Sequence, residues 1–247
     1  FVASFDRRVA FVKDWKAFWP ACLLTMAGFI AWDVWFTSQG IWGFNEAYLS
    51  GIWLLGLPLE EWLFFICIPY ACVFTYESLK HYIPNPPGRP FAIPASALLA
   101  ILTASLALSN PDRSYIAVSC GITAVFSACL AIAAATRPHV KRWNHRLWFA
   151  YLPLLIPFIL SNGVLTGIHF WEYPFLNANV DQIQDQIVWY NNDHNLQFRL
   201  FSMPIDDLIY GFLMIAMTII GYEIVASKMG LVTGSTPGAQ QLQNGDR

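Results

Sequence analysis

Apolar residues along this chain gather into six long runs, at 17–38, 52–79, 91–109, 115–136, 147–170 and 204–226, separated by shorter polar segments. Each run is about 19 residues or longer, which at about 1.5 Å per residue crosses a hydrocarbon core about 30 Å thick. The pattern predicts an all-α, polytopic membrane bundle with six spanning helices. Residues 1–5 read as the end of a further apolar run ahead of the basic pair Arg7 and Arg8, so a seventh helix is expected to precede Phe1 in the full chain. The Gly/Pro/Ser-rich end, 233–247, has no apolar periodicity and reads as a mobile tail.

Composition agrees with the run pattern. Of 247 residues, 56% are hydrophobic and only 12% charged, against about 25% charged in ordinary soluble domains. A chain this apolar does not stay solvated and unfolded. The net charge of −2 leaves no basic face to neutralise a row of phosphates, so nucleic acid is not an expected partner. Charge placement tests the spans independently. With the N-terminus inside, Arg7, Arg8, Lys13, Lys16, Lys80, Arg89, Arg137, Lys141, Arg142, Arg146, Lys228 and Arg247 all fall on the inner side, and only Arg113 and Arg199 fall outside. That is the asymmetry that orients membrane proteins.

Common cofactor and nucleophile signatures are missing. Cys22, Cys67, Cys72, Cys120 and Cys129 sit in apolar runs, where thiols act as small hydrophobes. The histidines form no HxxH or HxxxH pair for iron or haem, and neither a GxGxxG nor a GxxxxGK[ST] loop is present. No cofactor is evident. The unusual feature is a set of seven acids inside the spans: Asp33, Glu60, Glu61, Glu77, Asp206, Asp207 and Glu223, with no Lys or Arg expected deep in a helix to neutralise them. Each costs about 2.5–3.5 kcal/mol at a helix centre, which argues for function.

The acids are also duplicated. Pro58-Leu-Glu-Glu opens one helix that closes with Tyr76-Glu77, and Pro204-Ile-Asp-Asp opens another that closes with Tyr222-Glu223, at equal intervals. Upstream at the same offset, the segment 41–45 faces 187–191, while Asp33 and Thr37 correspond to Asn162 and Thr166. Two parallel three-helix units need an extra helix between them, and 91–109 supplies it. The organisation expected is 1–90 as the first repeat, 91–112 as linker helix, 113–228 as the second repeat, and 229–247 as the tail.

Proline at the first helical position with acids in the first turn suits the free N–H groups and dipole of a helix start. Capping explains an acid there but not why both helices hold two. Adjacent acids point about 100° apart, so only one of Glu60 and Glu61 can address a single centre. Glu77 lies about 25 Å further along the axis, in another layer. Glu77 and Glu223 stand between substrate contact and an interfacial aromatic belt. Phe64, Phe65 and Tyr210 are candidates for a substrate wall. Buried carboxyls beside like charges share protons, so one can be an acid while its neighbour is a base, and aromatic faces attract cations. Such a site can protonate an alkene and remove a different proton, a redox-neutral isomerisation. A membrane prenyltransferase remains an alternative, with Asp181 and Asp185 as a sparse DxxxD for Mg²⁺-diphosphate. A retinal protein is disfavoured, because the spans offer no lysine for a Schiff base.

At these residues the chain resembles the heterodimer-type lycopene cyclases, in the form where two short subunits are fused. The resemblance rests on PLEEWLFFICIPYACVFTYE at 58–77, WDVWFT at 32–37, IWGFN at 41–45, and VWYNN and MPIDDLIYGF in the second half. It implies an integral protein of a bacterial cytoplasmic membrane that closes the linear ends of lycopene into β-ionone rings, through γ-carotene to β-carotene. ε-ring formation or a longer carotenoid substrate are alternatives within the family. The expected partners are lycopene or a related linear carotenoid, membrane lipid, and other enzymes of carotenoid synthesis. The family's acidic motif falls on Glu60 and Glu61 and on Asp206 and Asp207, where Asp-Asp replaces the expected Glu-Asp. On these carried-over positions we expect Glu60 or Glu61 to supply the proton and an opposing aspartate to accept one, with Asp33 and Asn162 orienting them.

Overall fold

The computed structural model describes residues 2–6 and 8–231, so the predicted tail from 232 onward lies outside the described residues. Among the described residues six helices are long and apolar enough to span a membrane: α1 (Trp15–Ser38), α2 (Leu59–Tyr82), α3 (Ala92–Ser109), α4 (Ser114–Thr136), α5 (Pro138–Thr166) and α6 (Asp206–Lys228). In a bilayer each backbone N–H and C=O must be satisfied within its own segment, which is why these apolar runs are helical even through Pro20, Pro69, Pro153 and Pro157. The chain is a multi-pass, all-α membrane bundle.

Helix α6 lies at its centre, packed on α1, α2, α4 and α5, with 56% of its most apolar stretch buried. Helix α3 lies at the edge, against α4 and α5, with 22% buried. The difference decides which helices can enclose a site. Basic residues collect where α2 and α6 end and α5 begins. The opposite end is covered by short strands.

Three predicted boundaries are corrected there. The run 52–79 does not start a helix until Leu59: β2 (Trp53–Leu54) and β3 (Leu57–Pro58) form a hairpin whose two loop residues, Leu55 and Gly56, both have positive φ. That is the tight turn whose twist suits a hairpin, and hydropathy does not separate it from helix. Likewise α6 starts at Asp206, not at 204. Between α5 and α6 lie β4 (Leu176–Asn177), β5 (Val188–Tyr190), β6 (Arg199–Leu200) and β7 (Met203–Pro204); β6 and β7 repeat the β2–β3 register, with Phe201 at positive φ where the first hairpin has Leu55. Both prolines therefore end strands and do not occupy the first helical position. Pro58 is extended at ψ 153°, which its fixed φ permits. Finally, the run 147–170 becomes α5, which begins nine residues earlier and stops at Thr166. Its basic first turns hid it from hydropathy, although Val140, Trp143, Asn144 and His145 there are buried.

The cap is completed by β1 (Trp42–Phe44), which pairs antiparallel with β5 in the register Trp42↔Tyr190, Gly43↔Trp189, Phe44↔Val188. A side chain on Gly43 would meet the Trp189 ring at 2.3 Å, so the crossing requires glycine.

Candidate active site

Helix ends converge beneath this ribbon. Asp33 comes from the last turns of α1, Glu61 from the first turn of α2, Tyr115 from the start of α4, Asn162 from the end of α5, and Asp207 and Tyr210 from the start of α6; all line one pocket. Trp42 and Phe44 of β1 and Val188 and Tyr190 of β5 roof it. The free volume is small, about 60 Å³, and seven of its 15 lining residues are aromatic.

Helix phase separates the adjacent acids. Glu60 turns away from the pocket and accepts the Ser50 backbone N–H at 2.7 Å, while Asp206 accepts that of Leu196 at 3.2 Å. Each donor lies ten residues upstream of its acid. These two carboxyls tether loops to helix starts, and Glu61 and Asp207, one residue on, face inward. Of the aromatic candidates, Phe64 and Tyr210 line the pocket. Phe65 is buried against Phe29 and Phe64, with centroids 6.0 and 5.5 Å apart, and does not reach it.

The two halves of the pocket are chemically unlike. On one side the carboxyls of Asp33 and Glu61 lie within hydrogen-bonding reach of each other, and Asp33 also accepts from the Tyr210 hydroxyl at 3.0 Å. Two carboxyls attract at that range only when they hold a proton between them. On the other side Asp207 accepts three bonds: from Tyr115 (2.6 Å) on Oδ1, and from Asn162 (2.7 Å) and Tyr190 (3.0 Å) on Oδ2. An amide N–H and two hydroxyls aimed at one carboxyl favour its anion. Behind Tyr190, Arg199 is 1% exposed, donates to the Ser202 carbonyl at 2.7 Å and lies 5.8 Å from the Tyr190 ring centroid. Burial first, and then the Asp207 charge, pushes the Tyr190 hydroxyl well above the ordinary tyrosine range, so it stays a donor. Burial lowers the Arg199 guanidinium, and the facing Asp207 opposes that shift.

The remaining acids lie elsewhere. Glu77 and Glu223 meet at the basic end of the bundle, where Lys80 Nζ reaches Glu77 at 2.6 Å and Glu223 at 3.0 Å, and the Tyr76 hydroxyl donates to Glu223 at 2.5 Å. Lys80 is 2% exposed. This corrects the expectation that no basic residue neutralises the acids of the spans. Placed one turn after Glu77 at the end of α2, Lys80 turns inward because two carboxylates and the Tyr76 ring, 5.0 Å away, replace its hydration.

A family model described as lycopene cyclase matches residues 1–79 and 112–225, well over half of the chain. The chain belongs to the lycopene cyclase family. It is therefore an enzyme of the carotenoid-cyclase kind, with a linear carotenoid as substrate class. The matched stretches contain every residue that lines the pocket and omit α3. No curated protein and no solved structure matches the chain.

Several pocket residues of this family member escaped sequence reasoning. Tyr115 carried one signal: it is the only large polar aromatic in a helix otherwise made of small and aliphatic residues and one Phe. Trp42, Phe44 and Tyr190 stood inside the recognised IWGFN and VWYNN stretches, but nothing in their spacing pointed inward. Ring centroids of Trp42 lie 5.1 Å from Tyr115, 6.2 Å from Tyr190 and 5.8 Å from Tyr210, so these four form one aromatic cluster over the carboxyls.

Proposed function

We propose that this pocket cyclises the linear ends of lycopene to β-rings, with the Asp33–Glu61 pair as the acid and Asp207 as the base. The observation that carries the reading is the contrast between two carboxyls within hydrogen-bonding reach of each other and a third ringed by three donors. The proton held by Asp33 and Glu61 adds to the terminal double bond of the polyene and leaves a tertiary cation. The neighbouring internal double bond attacks it, closing a six-membered ring and moving the cation into the ring. Trp42, Tyr115, Tyr190 and Tyr210 offer π faces to that charge. Asp207 then removes a ring proton, and the ring alkene forms. One proton enters and one leaves, so the reaction asks for no electron carrier. Glu61 and Asp207 line the same small pocket, so the proton taken up by the base is close to the acid that must be recharged. Glu60, Asp206, Phe65, Glu77 and Glu223 take no part in this chemistry.

The same reading treats the chain as two parallel repeats about an axis along the membrane normal. The β1–β5 register supports it: exchanging the halves maps Trp42↔Tyr190 onto Phe44↔Val188 and leaves Gly43↔Trp189 at the centre. The basic end would face the cytoplasm.

Pigment chromatography from a lycopene-accumulating bacterial host tests the proposal. Wild type is expected to yield γ- and β-carotene; Glu61→Gln abolishes both while the protein accumulates in membranes, and Glu60→Gln keeps them. Full product from Glu61→Gln, or ε-rings from wild type, would overturn the corresponding part of the assignment.

A further inference from the structure

A second cavity lies at the basic end, away from the carboxyl pocket. It has about 540 Å³ of free volume, between the α2–α3 connection and the first turns of α5. Three arginines line it, Arg89, Arg142 and Arg146, together with His145, and among the described residues no acidic one does. Among the described residues both salt bridges belong to Lys80, so none of these guanidiniums has a carboxylate partner. Three like charges around one cavity repel, and a bound anion reverses that cost.

The walls are held in place before any ligand arrives. Prolines at 84, 86 and 87 restrict the connecting chain, and His145 Nε2, on a side chain only 6% exposed, donates to the Pro87 carbonyl at 2.9 Å. Arg146 reaches the Pro84 carbonyl at 3.5 Å. Arg89 and Arg142 are exposed and leave their planar forks open, a geometry that matches phosphate oxygens in pairs. Beside the cavity, Tyr82 and Phe91 are 58% and 73% exposed, apolar surface suited to acyl chains.

We propose that this cavity binds a phosphate anion, presented by the headgroup of an anionic membrane lipid or carried free in solution. Purified full-chain protein in uncharged detergent would be titrated separately with short-chain phosphatidylglycerol, short-chain phosphatidylcholine and inorganic phosphate, and binding read by native mass spectrometry and thermal shift. Wild type is expected to bind phosphatidylglycerol in preference to phosphatidylcholine. Arg89→Gln with Arg142→Gln should weaken that binding about 30-fold, the combined effect of two arginines. The control Arg137→Gln with Lys141→Gln removes the same charge from the same end, outside this cavity, and should bind as wild type does. Inorganic phosphate binding as tightly as the lipid, with the same loss in the Arg89/Arg142 variant, would identify the free anion as the source. Equal binding by the two double variants, or no preference for either anionic probe, would overturn the proposal. Among the described residues neither the Arg89 nor the Arg142 side chain forms a hydrogen bond or ion pair, so unfolding temperatures should match.

Discussion

Replacing Asp207 by asparagine separates what this carboxyl does for the fold from what it does in the reaction. The amide keeps one oxygen for the Tyr115 hydroxyl, 2.6 Å away, but its NH₂ takes the place of the oxygen that accepts from Asn162 at 2.7 Å and Tyr190 at 3.0 Å. Donors then face a donor. Each buried group left unsatisfied costs about 1–3 kcal/mol, so Asp207→Asn should destabilise the protein by about 2–6 kcal/mol before local rotation relieves it. Loss of a general base slows the chemistry by about 100- to 10,000-fold, equivalent to about 3–5 kcal/mol of barrier. The second change Asn162→Asp restores an amide–carboxylate pair with the partners exchanged. In Asp207→Asn/Asn162→Asp the unfolding temperature should recover most of its loss, while the carboxylate remains displaced to α5. Product formation, measured by pigment chromatography and normalised to folded membrane protein, should stay at least about 100-fold below wild type. Wild-type turnover in Asp207→Asn would refute the base assignment. Recovery of turnover together with stability in the exchanged pair would refute the claim that the base must stand at the start of α6.

Asp33→Asn keeps the bond from Tyr210 and donates an amide N–H to Glu61, turning the acid half into a copy of the base half; product should fall about 100-fold or more with little change in unfolding temperature, and unaltered product would remove Asp33 from the proton pair. Lys80→Met removes the ammonium shared by Glu77 and Glu223, each under 5% exposed, and should cost about 3–5 kcal/mol in thermal unfolding while activity per folded molecule holds; a lost turnover with normal stability would tie that cluster to the reaction. Gly211→Ala would set a methyl 2.6 Å from the Phe158 ring on the pocket wall and should destabilise by about 1–3 kcal/mol, whereas Gly221→Ala, whose methyl would sit 3.4 Å from Ala21, should be neutral or stabilising; equal effects at the two sites would show that the wall yields freely.

Hydropathy along the chain determined the number of spans and, for α1, α3 and α4, their limits to within two residues, because a bilayer forces any sufficiently long apolar run into a helix whatever packs beside it. Spacing alone also announced the paired acids and their equal positions in the two halves. Where hydropathy failed, the local physics lay outside it: the hairpins ending at Pro58 and Pro204 are set by positive-φ turns, and the basic start of α5 is helical with half its turns buried. The division of labour within each acid pair needed tertiary structure. Helix phase says that Glu60 and Glu61 diverge, but only the packing of α1 against α2 places Asp33 on Glu61, and only the loops of the cap supply the Ser50 and Leu196 N–H groups that occupy Glu60 and Asp206. Tyr115 and Tyr190 reach Asp207 across 92 and 17 residues of chain, and Lys80 reaches Glu223 across 143. A carboxyl's partners are set by which distant side chains crowd around it. That is a property of the packed helices and not of the order of residues along any one of them.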